Sequence, residues 1–169
     1  RITQSIASED NLNWRIFIAS NLYGPFDNFD PDRAHLLASI IRKCVTAKKL
    51  GQAEIEMWGD GNSRREFTFA KDVAEFLISS LPGLAKFPAT LNIGSGIDYS
   101  VFEYYQFVSE IMGYEGDIVP NLERPTGMVR KLMDVSRASA LGWRANTQIR
   151  IGIEATSTWY SKIIEGERK

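Results

Sequence analysis

Cysteine and histidine are almost missing: the 169-residue chain has one of each, Cys44 and His35. A lone cysteine excludes an internal disulfide, and the pair is too few for a Cys/His cluster, so no metal is expected. Charge of neither sign dominates, with 20 Lys+Arg against 21 Asp+Glu. That balance argues against a nucleic-acid partner, because phosphate-backbone recognition rests on a basic excess. No apolar run approaches the roughly 18–20 residues that cross a bilayer, so no membrane association is expected. The opening Arg1-Ile2-Thr3-Gln4-Ser5 is no secretion signal and lacks an initiator Met, which reads as a cut edge. No Gly-x-Gly-x-x-Gly follows a strand-like run, which removes the usual dinucleotide fingerprint. Repeats, linkers and low-complexity tracts are also missing. What remains is an ordinary globular composition, 44% hydrophobic and 24% charged, sized for one domain or one domain plus part of another. The expected location is cytoplasmic.

Residues 1–10 read as the tail of a helix, with Glu9-Asp10-Asn11 as its stop. Trp14-Arg15-Ile16-Phe17-Ile18-Ala19 is short, β-branched and nearly all apolar, the pattern of a parallel strand buried on both faces. Residues 21–31 are rich in Asn, Asp, Gly and Pro and form a loop. A loop leaving the carboxyl end of a parallel strand is where open α/β sheets place ligands. Leu37, Ile40, Ile41, Cys44 and Val45 recur at helical spacing within residues 32–50, with Arg42, Lys43, Lys48 and Lys49 elsewhere on the surface. Residues 54–58 and 64–69 alternate on either side of Gly59-Asp60-Gly61-Asn62 and read as a hairpin. Asp72 with Glu75, and Ser100 with Glu103, are capping-box patterns ahead of two amphipathic helices. Residues 90–93 form a short strand closed by Gly94-Ser95-Gly96, a weak phosphate-loop candidate without its third glycine. Then follow a brief strand at 117–119, an irregular stretch at 120–130, a short helix at 136–141 and a last amphipathic helix at 149–164.

Several segments together resemble one family. Asn21-Leu22-Tyr23-Gly24-Pro25 resembles the Asn-x-Tyr-Gly-Pro signature of extended short-chain dehydrogenase/reductases, the nucleotide-sugar epimerases and dehydratases. Gly59-Asp60-Gly61, Arg65-Glu66-Phe67, Lys71-Asp72-Val73-Ala74 and Asn92-Ile93-Gly94-Ser95-Gly96 resemble its later landmarks, in order. Asp27-Asn28-Phe29 with His35, the run Arg130 to Asp134, and Leu141-Gly142-Trp143 are most similar to the GDP-L-fucose synthase branch, the GDP-4-keto-6-deoxymannose epimerase/reductases.

The resemblance implies an α/β fold: the C-terminal part of a Rossmann-like enzyme with a small mixed α/β substrate-binding lobe. Residues 1–32 would be the last part of the Rossmann-like core and 33–169 the sugar-nucleotide region, with 72–96 returning to the Rossmann sheet. The implied activity is that of an NADP-dependent epimerase/oxidoreductase acting on a GDP-sugar, in a homodimeric parent. Family members carry a glycine-rich NADP loop, a Ser, a Tyr-x-x-x-Lys pair and a catalytic Cys upstream of the strand at 14–19. None occurs in this sequence, so most of the NADP site is expected outside it and the chain alone is expected to be inactive. Alternatives are a GDP-heptose, UDP- or dTDP-sugar enzyme of the same superfamily, or a non-catalytic sugar-nucleotide-binding or assembly module.

Individual residues carry different weight. His35 matches the family's acid for epimerisation, on the cofactor side of the site; imidazole suits proton delivery near neutral pH, although a lone His is more often structural. Asn21 and Leu22 match the wall at the nicotinamide end of NADP, or simply turn the chain. Arg65 matches the diphosphate arginine, whose fork fits two phosphate oxygens better than a lysine. Trp58 matches a nucleotide-contacting tryptophan, nearly balanced by a plain core role. Lys43 matches a basic position facing phosphate, nearly balanced by a solvated helix lysine. Thr126 departs from the family's Asp in Arg124-Pro125-Thr126-Gly127, and a hydroxyl both donates and accepts, which leaves the sugar open. Arg130 and Lys131 either support phosphates or form a surface pair. Cys44, on an apolar stripe, reads as a packed thiol rather than the family's catalytic one.

Overall fold

The computed structural model describes residues 2–10 and 12–166; Asn11, part of the expected helix stop, lies outside the described residues. Helix α1 is Ile2–Glu9. Strand β1, Ile16–Ala19, runs parallel to β5, Thr90–Ile93. Among the described residues β1 pairs with β5 alone, and Ile18 is 45% exposed. Its apolar run is therefore not matched by cover on both faces within this chain.

Strand β4, Arg64–Phe69, is the hub of a second sheet. It pairs parallel with β2, Asn21–Tyr23, antiparallel with β6, Asp98–Ser100, and parallel with the two-residue β8, Arg130–Lys131. Strand β3, Glu54–Trp58, pairs instead with β7, Asp117–Asn121, in parallel. The expected hairpin between residues 54–58 and 64–69 does not form. Ile55 and Met57 do turn into the core, but alternation reports only which face is buried, not which strand lies alongside. The amide of Gly59 donates to Asn121 O (2.8 Å), extending the β3–β7 ladder past the turn.

Helix α2, Leu36–Leu50, buries Leu37, Ile40, Ile41 and Cys44 on one stripe. Burying each large aliphatic side chain contributes about 1.5–3 kcal/mol. The helix begins four residues later than the pattern at 32–50 suggests. Asp30 accepts from the amide of Asp32 through its carboxylate and from Ala34 through its carbonyl, so this stretch closes a local turn first. Helix α4, Val101–Met112, opens with the capping box as read: Glu103 N donates to Ser100 Oγ (3.1 Å) and Ser100 N to Glu103 Oε2 (2.6 Å). The Asp72 pattern does not cap. Helix α3, Ala70–Ser80, issues directly from β4. The buried Asp72 carboxylate instead accepts from Thr147 N (2.8 Å) and Oγ1 (2.7 Å), a tertiary bond that no local pattern encodes.

A short 3₁₀ turn, Leu81–Lys86, follows α3, and α5 is Ser136–Ala140. The last helix, α6, is Ile149–Gly166 and packs on the loop after β2. There Phe29 stacks on Tyr160 (centroids 3.9 Å apart) and Phe26 leans on Trp159 (4.9 Å). Phe26 is the one non-glycine residue with positive φ among those described, at 71°, a costly conformation for a bulky side chain. No helix among the described residues is long and apolar enough to cross a membrane.

Candidate functional site

Successive β4 side chains leave on opposite faces, and this sorts the charges of the region. Glu66 points inward and is 1% exposed. Its Oε1 accepts from Gly96 N (2.7 Å) and its Oε2 from Met133 N (2.9 Å). A Cβ on Gly94 would collide with this carboxylate, so glycine is what lets the turn close on it. The Gly94-Ser95-Gly96 turn thus already holds an anion, a protein carboxylate, and has no role as a phosphate loop.

Arg64 donates through Nε to Asp98 Oδ1 (3.1 Å), and Arg130 through Nε to Asp98 Oδ2 (2.5 Å). Arg130 is therefore no idle surface charge; it ties β8 to the buried end of β6. The Arg130 hydrogen bond first, then that of Arg64, hold the Asp98 carboxyl below the usual carboxylate range. A depressed carboxyl stabilises the fold fully above its unfolded pKa of about 3.9 and less as pH falls through the lower folded value. Asp98→Asn should therefore be less stable than wild type in urea at pH 7, with the difference narrowing below about pH 4. A constant difference down to pH 3 would exclude this role.

Outward-facing Arg65 borders a cleft of about 360 Å³ between α2, the end of β3 and the segment 121–131. Lys43, Trp58, Arg65 and Thr126 all line it. A second cavity of about 310 Å³, between β4, α4 and the start of α6, contains none of them and has a single cation, Arg150, in its wall. Only the first cleft combines aromatic surface with several cations.

Arg65 Nη1 donates to Met128 O (2.5 Å) and Arg64 O (2.8 Å), which anchors the strap over the cleft. Thr126 O accepts from Ser63 Oγ (3.1 Å). Gly59, at φ +75°, allows the closest approach, since a Cβ there would stand 2.5 Å from Thr126 Cγ2. Trp58 is 52% exposed, which removes the plain core role. Lys43 Nζ lies 5.9 Å and the Arg124 guanidinium 4.9 Å from its ring centroid, within cation–π range. Lys43 is no solvated lysine either: it donates to Glu56 O (2.6 Å) and Tyr105 Oη (3.2 Å), and burial holds its ammonium below the usual lysine range.

The other candidates fall outside this cavity. His35 is the exposed N-cap residue of α2 and its side chain makes no capping hydrogen bond. Its neighbours Ala34 and Leu36 line the cleft while its imidazole does not. Burial pushes the nearby Asp27 carboxyl up, partly offset by the Asn28 amide and by the charge of His35. Asn21 Nδ2 donates to Glu66 O (2.8 Å), and Leu22 is exposed at the end of β2. Cys44 is fully buried and its thiol is pushed up to about 11 by burial, as a packed thiol should be. Sequence reasoning missed Ser39, Arg42 and Tyr105, which also line the cleft. The available signal was spacing: 35, 39 and 42 share one face of α2.

Parallel strands connected through helices, with a charged cleft between α2 and the carboxyl end of β3, fit one family. Residues 1–94 match the NAD dependent epimerase/dehydratase family, and the chain belongs to it. The architecture is that of extended short-chain dehydrogenase/reductases. A GDP-L-fucose synthase from Azorhizobium caulinodans is 43% identical over 160 residues, covering 95% of this chain and 51% of that protein. A GDP-L-colitose synthase from Yersinia pseudotuberculosis is 37% identical, covering 95% and 52%. The solved structure of a GDP-mannoheptose C4 reductase from Campylobacter jejuni with NADP bound superposes with a TM-score of 0.76 at 28% identity, covering 93% of this chain and 55% of that one. The chain spans about half the length of these relatives.

Proposed function

We propose that this chain is the sugar-nucleotide-binding half of an NADP-dependent GDP-sugar epimerase/reductase of the GDP-L-fucose synthase kind. The observation that carries the reading is the convergence of Lys43, Trp58, Arg65 and Thr126 on one cleft, of a size suited to a ligand of several hundred daltons. The names of its relatives vary in the sugar and share the GDP. In this reading residues 1–32 and 72–96 complete the Rossmann-like sheet and the remainder of 33–169 forms the sugar-nucleotide lobe.

Each side chain then has a chemical task. Arg65 spends only Nη1 on the strap, which leaves Nε and Nη2 for diphosphate oxygens. Trp58 offers an amphipathic edge to the base, and Thr126 a hydroxyl to the sugar. His35, exposed beside the cleft, returns a proton to the carbon next to the 4-keto group after its removal from the opposite face, which inverts that centre. Asn21, Leu22 and His35 would hold the nicotinamide side of NADP, and bound NADPH supplies the hydride for the ketone. The Gly94–Gly96 turn after β5 is taken by Glu66, so no NADP phosphate cradle is assigned to it.

Thermal-shift titration tests the reading. GDP-fucose or GDP at a hundredfold excess over Kd should stabilise the chain by about 2.7 kcal/mol, on the order of 5–10 °C, with UDP-glucose much weaker. Indifference to every nucleotide would favour an assembly module, and tighter UDP binding another branch. With a 4-keto GDP-sugar, the 169-residue chain alone should show no NADPH oxidation, because its sequence contains no Tyr-x-x-x-Lys. Steady oxidation would refute that division of labour.

A further inference from the structure

One side chain in the cleft is unaccounted for. Arg42 lines the cavity, yet its Nε is buried without a hydrogen-bond partner, the one such side-chain nitrogen or oxygen among the described residues. A buried donor left unmatched costs about 1–3 kcal/mol, so the Arg42 guanidinium is held at the cleft at a cost to stability. The neighbouring cations are already engaged, Lys43 by Glu56 O and Tyr105, and Arg65 in part by Met128 O and Arg64 O. Arg42 has no such bond. Charge balance points the same way. Arg42, Lys43 and Arg65 face a single lining carboxylate, Asp32, an excess of two positive charges that equals the charge of a diphosphate diester.

Position along α2 says which part of a ligand Arg42 meets. It lies seven residues beyond His35, on the same face and about 10 Å further along the helix axis. The two side chains are thus separated by roughly two turns, too far to serve the same reacting carbon. Resting on the reading of this cleft as a sugar-nucleotide site, the geometry points to Arg42 as a diphosphate ligand: a binding residue that supplies the uncommitted guanidinium to the phosphate oxygens of a nucleoside diphosphate. On binding, the Nη donors of this guanidinium, which no protein group among the described residues engages, gain charge-assisted bonds, an interaction that favours the charged ligand over the bare nucleoside.

Calorimetric titration with GDP, and tryptophan-fluorescence titration with guanosine, separate this role from packing. Arg42→Gln should lower GDP affinity about 10–100-fold while guanosine affinity stays within about twofold of wild type. Arg42→Lys should recover part of the loss, since a point charge replaces a fork. Circular-dichroism melts check that both variants fold, and the Lys variant carries the comparison where the Gln variant does not. Unchanged GDP affinity in Arg42→Gln overturns the inference and leaves the cleft reading standing, as does a parallel loss for guanosine. If the wild-type chain binds neither GDP nor guanosine, the cleft reading falls and the inference with it.

Discussion

Arg65→Ala will lower the affinity of the chain for GDP by about a hundredfold, the loss of a charge-assisted fork worth on the order of 3 kcal/mol. The reason is position more than charge. Arg65 leaves β4 on the cleft side, and its Nη1 is pinned by two backbone carbonyls. The guanidinium plane is therefore oriented before a ligand arrives, and little side-chain entropy remains to be lost on binding. Arg65→Lys should recover only a small part, because a lysine cannot hold Met128 O and still offer two parallel donors. Calorimetric titration of GDP reads both variants. GDP binding to Arg65→Ala within threefold of wild type would remove the diphosphate role altogether.

Glu66→Ala should cost more stability than any surface substitution in the chain. Two part-buried amides, of Gly96 and Met133, would lose their charged acceptor. At about 1.5–3 kcal/mol for each hydrogen bond to a charged group, the sum is on the order of 3–6 kcal/mol. That is a large share of the roughly 5–15 kcal/mol by which domains are stable. Glu66→Gln retains one acceptor oxygen and should lose about half as much. Urea denaturation measures both; an alanine variant within 1 kcal/mol of wild type would show that the turn finds other partners.

Local features of this fold are legible in the sequence. The α2 stripe of Leu37, Ile40, Ile41 and Cys44 and the Ser100–Glu103 capping box are set by neighbours three or four residues apart, so periodicity and spacing suffice. Pairing is not local. Glu54–Trp58 buries the side its alternation indicates, but its partner comes from residues 117–121. Asp72 has the sequence of a cap, yet its acceptor oxygens are claimed by Thr147, 75 positions away. The cleft shows the same division. Lys43, Trp58, Arg65 and Thr126 were legible through a resemblance to a family, whose motifs record a shared pocket that spacing cannot reveal. Arg42 reads only as a residue on the surface side of α2, because the pattern tells which side is core, not what covers the polar side. His35 sits between Ala34 and Leu36, which line the cleft, while its own ring does not, a difference of side-chain direction that spacing alone does not encode.

The contact between the loop after β2 and α6 bears on the order in which the protein matures. Phe26 and Phe29 lie 133 and 131 positions before Trp159 and Tyr160, the rings that hold them. On a ribosome the contacts that fasten the segment leading to His35 can form only once α6 has emerged and folded back. The region of the chain closest to the proposed chemistry is thus completed more than 130 residues after it is made.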